Sequence, residues 1–219
     1  MPPSPCTSRL TIMGKTLNKL GKMSRREGIP LSTSASILKL MQKRPYAPGV
    51  HGKVNAGRPS RLSVFGQQLR EKQKAKRLYG IMERQFRKYF AKASSLEGNT
   101  GEQLCRLLEL RLDNAVFRLG FAKTRPQARQ MVSHGMFLVN GGKVDIASYQ
   151  VHIGDIIEIR PGKVDKKVFG DLDDRIKSAI VPGWLHMEGK KGKVVSAPAG
   201  EDLKEAFDPK LIVEFYSMR

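Results

Sequence analysis

The chain has 219 residues, and its 40 Lys and Arg residues against 20 Asp and Glu residues give a formal net charge of +20 at pH 7. This excess indicates a polyanionic partner without specifying a fold. No apolar run approaches the roughly 20 residues of a membrane span, so a membrane-spanning protein is not expected. Two cysteines, Cys6 and Cys105, do not make a disulfide framework, so a disulfide-rich protein is not expected either.

The positive charge is concentrated in the first part of the chain. Residues 1–100 hold 21 Lys and Arg against 4 acids, a net of +17, whereas residues 101–219 hold 19 against 16, a net of +3. A surface kept basic only for solubility is the alternative, but +17 within a hundred residues is self-repelling unless phosphates neutralise it. We therefore expect the electrostatic part of binding to lie mainly in the first half.

The N-terminal region, residues 1–42, is predicted to be a basic arm that is largely irregular. Residues 1 to about 22 are rich in Ser and Pro and contain no acid, and Met13 offers a second start. They are an arm that reaches into a polyanion, a mis-assigned start or a targeting peptide, and we favour the first two. Pro and Gly recur through residues 23–64, where only a short helix near residues 34–41 is expected.

A helical domain is predicted over residues 43–100. Residues 65 to about 93 place apolar side chains on one side at helical spacing, and Gly80 should divide this run into two helices. Residues 211–216 carry apolar side chains too close together for a free tail.

Two further helices and a small sheet are predicted over residues 101–197. The first helix spans roughly 101–119, with Thr100 as its capping residue, and Gly120 closes it. Thr124 caps the second, which ends at Gly135. The period then changes to two, which predicts strands at 136–139, 143–146 and 156–159, the first pair joined at Asn140-Gly141-Gly142. The fold class is α+β.

Residues 111–155, RLDNAVFRLGFAKTRPQARQMVSHGMFLVNGGKVDIASYQVHIGD, closely resemble the S4 RNA-binding domain in the form found in the ribosomal protein S4 family. The likeness continues through KRPYAPGVHG at 43–52, QLREKQKAKRLYGIMERQFRKYF at 68–90 and LIVEFYSMR at 211–219, and so covers about residues 22–219. The resemblance implies that the RNA-binding module, residues 101–197, is inserted into the helical domain, which residues 198–219 complete.

The resemblance also implies a function. It predicts a structural constituent of the small ribosomal subunit that binds 16S rRNA at a multi-helix junction, nucleates subunit assembly and contributes to translational accuracy. The expected partners are 16S rRNA, neighbouring small-subunit proteins where the mRNA enters and at the decoding region, and mRNA as a further candidate. No homo-oligomer and no membrane association are expected. The expected location is the ribosome of the cytoplasm, which we favour over an organellar ribosome.

The residues predicted to bind RNA are basic, amide and ring side chains in the first half of the chain and around the second helix of the module. They are Arg25, Arg26, Arg44, Tyr46, His51, Arg58, Arg61, Lys72, Arg77, Arg84, Arg87, Lys123, Thr124, Arg125, Gln127, Arg129, Gln130, His134 and Asn140. For His134, a phosphate or ribose contact and plain helix capping are both open.

No catalytic residue, metal site or cofactor is predicted. Many relatives carry four N-terminal cysteines that bind a metal, and this chain keeps the neighbouring Arg-Arg-Glu-Gly at 25–28 without them, so we expect a metal-free variant. Arg111-Leu112-Asp113 resembles the catalytic motif of pseudouridine synthases, but an ion pair, an RNA-orienting role or plain helix surface is expected for Asp113. An RNA-modifying enzyme and a factor that binds ribosomes from outside remain the alternatives.

Overall fold

The computed structural model describes residues 20–53, 62–164, 166–203 and 206–218. The helices are α1 (Leu20–Glu27), α2 (Ala35–Lys43), α3 (Val64–Leu78), α4 (Glu83–Ser94), α5 (Thr100–Glu109), α6 (Leu112–Arg118), α7 (Arg125–Ser133), α8 (Leu172–Ser178) and α9 (Pro209–Ser217). The strands are β1 (Phe137–Val139), β2 (Gly142–Lys143), β3 (Ile156–Ile159), β4 (Leu185–Glu188) and β5 (Lys191–Val194). The predicted α+β class is confirmed.

One hydrophobic core lies among α3, α4, α5 and α9, and we call this part the helical domain. Helix α9 runs back along α3 and α5, so that Phe215 meets Phe65 with 5.5 Å between ring centroids and Tyr216 stacks on Phe90 at 4.5 Å. Buried residues from all four helices fill the core; they include Ala75, Phe86, Leu104, Leu108 and Ile212. Residues near the end of the chain therefore complete a core that begins at α3.

A second core lies between the helix pair α6 and α7 and the sheet, and we call this part the module. The sheet is antiparallel throughout, in the order β2-β1-β3-β5-β4. Its inner face buries apolar side chains from every strand but β2, among them Phe137, Val139, Ile157, Leu185 and Val194. At Gly192 a Cβ atom would overlap the Leu119 side chain, so glycine allows β5 to lie directly against α6.

Several predicted boundaries are confirmed. Gly80 adopts a positive φ of 63° between α3 and α4, and the Thr124 hydroxyl accepts a hydrogen bond from the Gln127 N–H at the start of α7. Asn140 and Gly141, with φ of 51° and 78°, form the tight turn between β1 and β2. Helix α2, which has Ser34 as its N-cap residue, is the short helix expected near residues 34–41.

The prediction of a single helix over 101–119 is wrong, because the helix is interrupted between α5 and α6. The N–H groups of Leu112 and Asp113 donate to the carbonyls of Tyr149 and Ala147 at 2.8 and 3.2 Å, instead of continuing the ladder of α5. The predicted cap was also displaced by one residue: the Asn99 side chain, not Thr100, accepts from the Gly101 N–H. Since the buried face of α5 belongs to the helical domain, the module begins near residue 110 and not at 101.

Two other predicted elements differ from the structure. Helix α1 occupies residues 20–27, where the arm was expected to be irregular, and the Ser24 hydroxyl in α1 accepts from the Leu31 N–H at 3.2 Å. Strand β2 ends at Lys143, whereas the alternation of side chains predicted a strand to residue 146. Residues 1–19, including the possible start at Met13, lie outside the described ranges.

Candidate nucleic-acid interface

Two of the four acids in the first hundred residues, Glu27 and Glu83, hold basic side chains against the helical domain. The Glu27 carboxylate, whose side chain is fully buried, accepts from Arg77 and lies 3.5 Å from Arg70. Glu83 pairs with Lys72 at 2.8 Å and Lys76 at 3.1 Å. Burial raises the pKa of Glu83, but hydrogen bonds from the two lysines outweigh it and leave the pKa below its usual value. These pairs fix α1 and the start of α4 against α3.

Lys72 and Arg77, both predicted to bind RNA, are therefore part of the protein interior. The Lys72 side chain is 7% exposed and its ammonium group lies 4.3 Å from the centre of the Phe215 ring, so it joins α3 to α9. Arg77 is 16% exposed and donates to Glu27. Their charge stabilises the helical domain and is largely withdrawn from the surface.

Four cations on the outer face of α4 are in the opposite situation, and we call them the α4 stripe: Arg84, Arg87, Lys88 and Lys92. They recur at spacings of three and four residues, opposite the buried Phe86, Tyr89 and Ala93. All four are exposed, and none lies within 4.0 Å of a carboxylate in the part of the chain that the structure describes. The stripe is a row of un-neutralised positive charge on a rigid helix.

The segment after α2 presents a second basic surface. The Arg25 guanidinium donates to the carbonyls of Arg44 and Tyr46 at 3.1 and 3.0 Å and lies 5.0 Å from the centre of the Tyr46 ring. Arg25 and Tyr46 therefore shape this segment. Arg44 and His51 are exposed on it, and Arg26 is exposed in the last turn of α1. Arg58 and Arg61, the next predicted residues, lie outside the described ranges.

The outer side of α7 and the residues that flank it carry Lys123, Gln127, Gln130 and His134, which we call the α7 face; Gln127 is half-buried and the other three are exposed. These residues follow one another at helical spacing, and the Gln127 side-chain oxygen accepts from the Lys123 N–H at 2.9 Å. The Lys123 ammonium lies 2.9 Å from the Asp171 carboxylate, with both side chains more than half exposed. His134 is the C-cap residue of α7, and its ring is exposed. His134 thus occupies the capping position, and its ring remains accessible.

A buried polar network lies between the module and the helical domain and joins them. At its centre is the fully buried Glu109 carboxylate of α5, which accepts from the Tyr79 hydroxyl at 2.6 Å, from the Asn114 amide at 2.9 Å and from two nitrogens of Arg118 at 3.1 Å. Arg125 of α7 lies 4.0 Å away. Burial raises the pKa of Glu109, but the charges and hydrogen bonds of these partners, Arg118 first among them, hold the pKa below its usual value.

The network continues through Arg111 and Asp113. The buried Arg111 guanidinium donates to both Asp113 oxygens, at 3.0 and 2.7 Å, and to the Tyr89 hydroxyl of α4 at 2.7 Å. Burial lowers the pKa of Arg111, but the Asp113 carboxylate outweighs it and the pKa is raised. Asp113 therefore forms an ion pair with Arg111, as the sequence suggested, and the pair is buried inside the protein and not on the helix surface.

Two predicted RNA-binding arginines of α7 belong to this network. Arg125 donates to the Asn114 side-chain oxygen at 2.8 Å, and its guanidinium lies 5.1 Å from the Tyr79 ring centre and 4.8 Å from that of Phe117. Arg129 donates to the Gly80 carbonyl at 3.2 Å and lies 3.8 Å from Asp113. Both arginines join α7 to the helical domain. Arg129, about one third exposed, also reaches the surface.

Asn140, the last predicted residue, orders the turn after β1. Its amide donates to Asp155 at 2.8 Å, and its side-chain oxygen accepts from the Ile156 N–H at 2.9 Å. The residues that sequence reasoning missed are Glu109, Tyr79, Tyr89, Arg118, Lys88 and Lys92. One signal was available, because Glu109 is a single acid between Leu108 and Leu110 in an apolar run, and an isolated charge there requires partners.

Within the described ranges, no group of three or more His, Cys, Asp or Glu side chains is placed to hold a metal ion. Cys105 is buried in the helical core, and Cys6 lies outside those ranges, so the metal-free variant stays a prediction. No described helix is long and apolar enough to cross a membrane.

Comparison with known proteins accounts for both parts of the structure. Residues 15–109 match the family described as ribosomal protein S4/S9 N-terminal domain, and residues 110–157 match the S4 domain. The border between the two matches falls at the break between α5 and α6, where one core gives way to the other.

The chain is also similar to curated proteins over nearly its whole length. It is 49% identical over 209 residues to the small ribosomal subunit protein uS4 of Persephonella marina, 46% over 207 residues to that of Chlorobium phaeovibrioides, and 46% over 209 residues to that of Chloroflexus aurantiacus. Each alignment covers 94% of this chain and 100% of the relative. With its two cores, its basic helix and this degree of identity, the chain belongs to the family of small ribosomal subunit protein uS4.

Proposed function

We propose that this chain binds 16S rRNA where several RNA helices converge, early in assembly of the small ribosomal subunit. Membership of the uS4 family makes it a structural, non-enzymatic component of that subunit. We extend the proposal to contacts with neighbouring small-subunit proteins where the mRNA enters and near the decoding region, with mRNA itself as a further candidate, and to a contribution to translational accuracy. The proposed location is the ribosome of the cytoplasm.

The α4 stripe is the observation that carries the proposal. A row of cations without carboxylate partners is costly to keep on a folded protein, because like charges repel, and RNA phosphates remove that cost. The stripe lies on a helix whose inner face is packed against α9 through Phe86 and Phe90, so its side chains project from a fixed backbone. A rigid row of this kind suits crowded phosphates better than a single-stranded sequence.

The α7 face and the segment after α2 extend this surface in the proposal. Gln130 and His134 offer hydrogen-bonding groups for ribose or phosphate, and Lys123, Arg26 and Arg44 offer charge. Duplex RNA hides its base edges in a deep, narrow groove, so side chains of this composition read shape, phosphates and 2′-hydroxyls more than sequence. We assign direct contact to these exposed residues and a supporting role to Lys72, Arg77, Arg125 and Asn140.

The test uses the full chain and 16S rRNA transcribed in vitro, with affinity measured over a series of salt concentrations. The variant Arg84→Gln/Arg87→Gln/Lys88→Gln should bind at least about tenfold more weakly at 0.1 M salt, because it loses contacts with phosphates. Each lost contact should also reduce the slope of log affinity against log salt concentration by roughly 0.7 to 0.9. The matched control, Arg160→Gln/Lys177→Gln/Lys193→Gln, removes the same charge from exposed residues of the module.

The control should keep most of the affinity and the salt slope. If both triple variants lose affinity equally, binding depends on net charge alone and the assignment of the stripe is wrong. Sedimentation provides the wider test: the chain should remain at near one copy per small subunit after a high-salt wash, whereas an externally bound factor would wash off and an enzyme would be substoichiometric.

A further inference from the structure

We propose that Glu109 is a positioning residue for RNA binding: by joining α5 to α6, α7 and the end of α3, it fixes the α7 face relative to the α4 stripe. The two surfaces then meet the RNA as parts of one rigid body. This inference rests on the proposed function, because it concerns how the chain presents surfaces that bind RNA. Nothing in the chemistry of Glu109 itself suits contact with RNA, since a carboxylate repels phosphates.

The partners of Glu109 come from both sides of the boundary between the cores. Tyr79, which donates to it at 2.6 Å, follows α3 in the helical domain, whereas Arg118 and Arg125 lie in α6 and α7 of the module. The carboxylate side chain is 0% exposed, so it holds these groups without meeting solvent or ligand. Through its partners, Glu109 thus connects α5 to α6, to α7 and to the end of α3.

The junction between the two domains is made by contacts that lie outside both cores, and Glu109 is at the centre of the buried ones. The two domains have separate cores, and in sequence only Leu110 and Arg111 connect α5 to α6. Arg111 extends the same network to α4, because it donates to the hydroxyl of Tyr89, the residue next to Lys88 of the stripe. The network therefore connects the helix that carries the stripe to the helix that carries the α7 face.

Fixing two binding surfaces relative to each other raises affinity without adding a contact. Once one surface is bound, the second meets its target at an effective concentration set by the geometry of the link, and a rigid link of the right shape loses little entropy on binding. If the link becomes flexible, this gain falls. The expected effect of Glu109 on RNA affinity is therefore indirect and depends on both surfaces being present.

The substitution Glu109→Gln separates this idea from simple electrostatics by the sign of its effect. Removing a negative charge should tighten binding to a polyanion if charge alone matters. Positioning predicts the opposite: Glu109→Gln should weaken binding of full-length chain to 16S rRNA by about fivefold or more. The matched control is Glu102→Gln, an exposed acid on the same helix, which should bind equally well or slightly more tightly.

A second comparison tests whether the effect depends on the stripe. In the Arg84→Gln/Arg87→Gln/Lys88→Gln background one surface is already lost, so the additional substitution Glu109→Gln should cause no further loss of affinity. A general or local structural effect of Glu109→Gln would persist in that background. Equal losses in both backgrounds, or a gain like that of Glu102→Gln, would overturn the positioning role.

If Glu109→Gln does not fold, as judged by circular dichroism, Tyr79→Phe replaces it in both comparisons. This substitution removes only the hydroxyl that donates to Glu109 from the helical domain, and its loss of affinity should be smaller but should also vanish without the stripe. Failure of the proposed function gives a different result: the stripe variant itself would then bind rRNA like the unmodified chain, and both proposals would be rejected together.

Discussion

Basic side chains of the same type have different roles on α4 and on the helices of the module. Arg84 and Arg87 are exposed and have no carboxylate within 4.0 Å among the described residues, whereas Arg118 and Arg125 lie against the buried Glu109. The first pair can neutralise phosphates, and the second pair already neutralises an acid. Availability for RNA is therefore set by where the acids lie, and not by the number of arginines in a segment.

The largest expected effect concerns the module side of this comparison. Asp113→Ala leaves the Arg111 guanidinium buried without its carboxylate, and breaking a buried pair in this way costs about 3–5 kcal/mol. We expect urea unfolding at neutral pH to show a loss of free energy of unfolding in that range.

Asp145→Ala is the matched control, because Lys143 and Asp145 have the same spacing as Arg111 and Asp113 but are about half exposed and lie 3.6 Å apart. Its cost should be within about 0.5 kcal/mol. If the two substitutions had equal effects, burial would not be what distinguishes the pairs.

Acid should produce a smaller effect through Glu109. Because the pKa of Glu109 in the folded protein is below its usual value, the stability it contributes is present above that usual value and is lost as the pH falls through the folded pKa. The free energy of unfolding of the unmodified chain should therefore approach that of Glu109→Gln as the pH falls from about 5 through the folded pKa. A difference between the two proteins that stays constant over this range would contradict the prediction.

The smallest effect is expected at Lys123, because this cation has a carboxylate partner, as the arginines of the module do, but is exposed, as the cations of α4 are. Its ammonium pairs with Asp171 on the surface, and this hydrogen bond and charge keep the pKa of the Asp171 carboxyl below its usual range. Asp171→Asn should leave the melting temperature unchanged and raise the affinity for 16S rRNA slightly, because Lys123 no longer has a competing anion. Asp173→Asn, on the same helix, is the control, and a matching gain there would indicate a general charge effect.

Much of the fold follows from local signals in the sequence. The break at Gly80, the cap at Thr124 and the turn at Asn140-Gly141 depend on residues whose conformational preferences are strong and local. The break between α5 and α6 could not be predicted in this way. The run from Leu107 to Leu112 is continuous in hydrophobic pattern, and it is the backbone of residues 147–151, distant in sequence, that takes the hydrogen bonds.

The candidate site was predictable in composition but not in detail. The charge of the first half predicted a basic region that includes α4, and the structure adds Lys88 and Lys92 to the two arginines named from the sequence. Nothing local distinguishes Arg77 from Arg84, because the partner of Arg77 is Glu27, 50 residues away. Which cations are buried is decided by tertiary pairing.

The packing of α9 on α3 also sets the order in which the chain can fold during synthesis. The module has its core between Leu112 and Val194, so all of it has been made before α9 appears. The helical domain begins earlier but lacks Phe215 and Tyr216 until residues 209–217 have been added. Domains generally fold as units while the chain emerges. Here the inserted module can fold first, and the domain around it closes last.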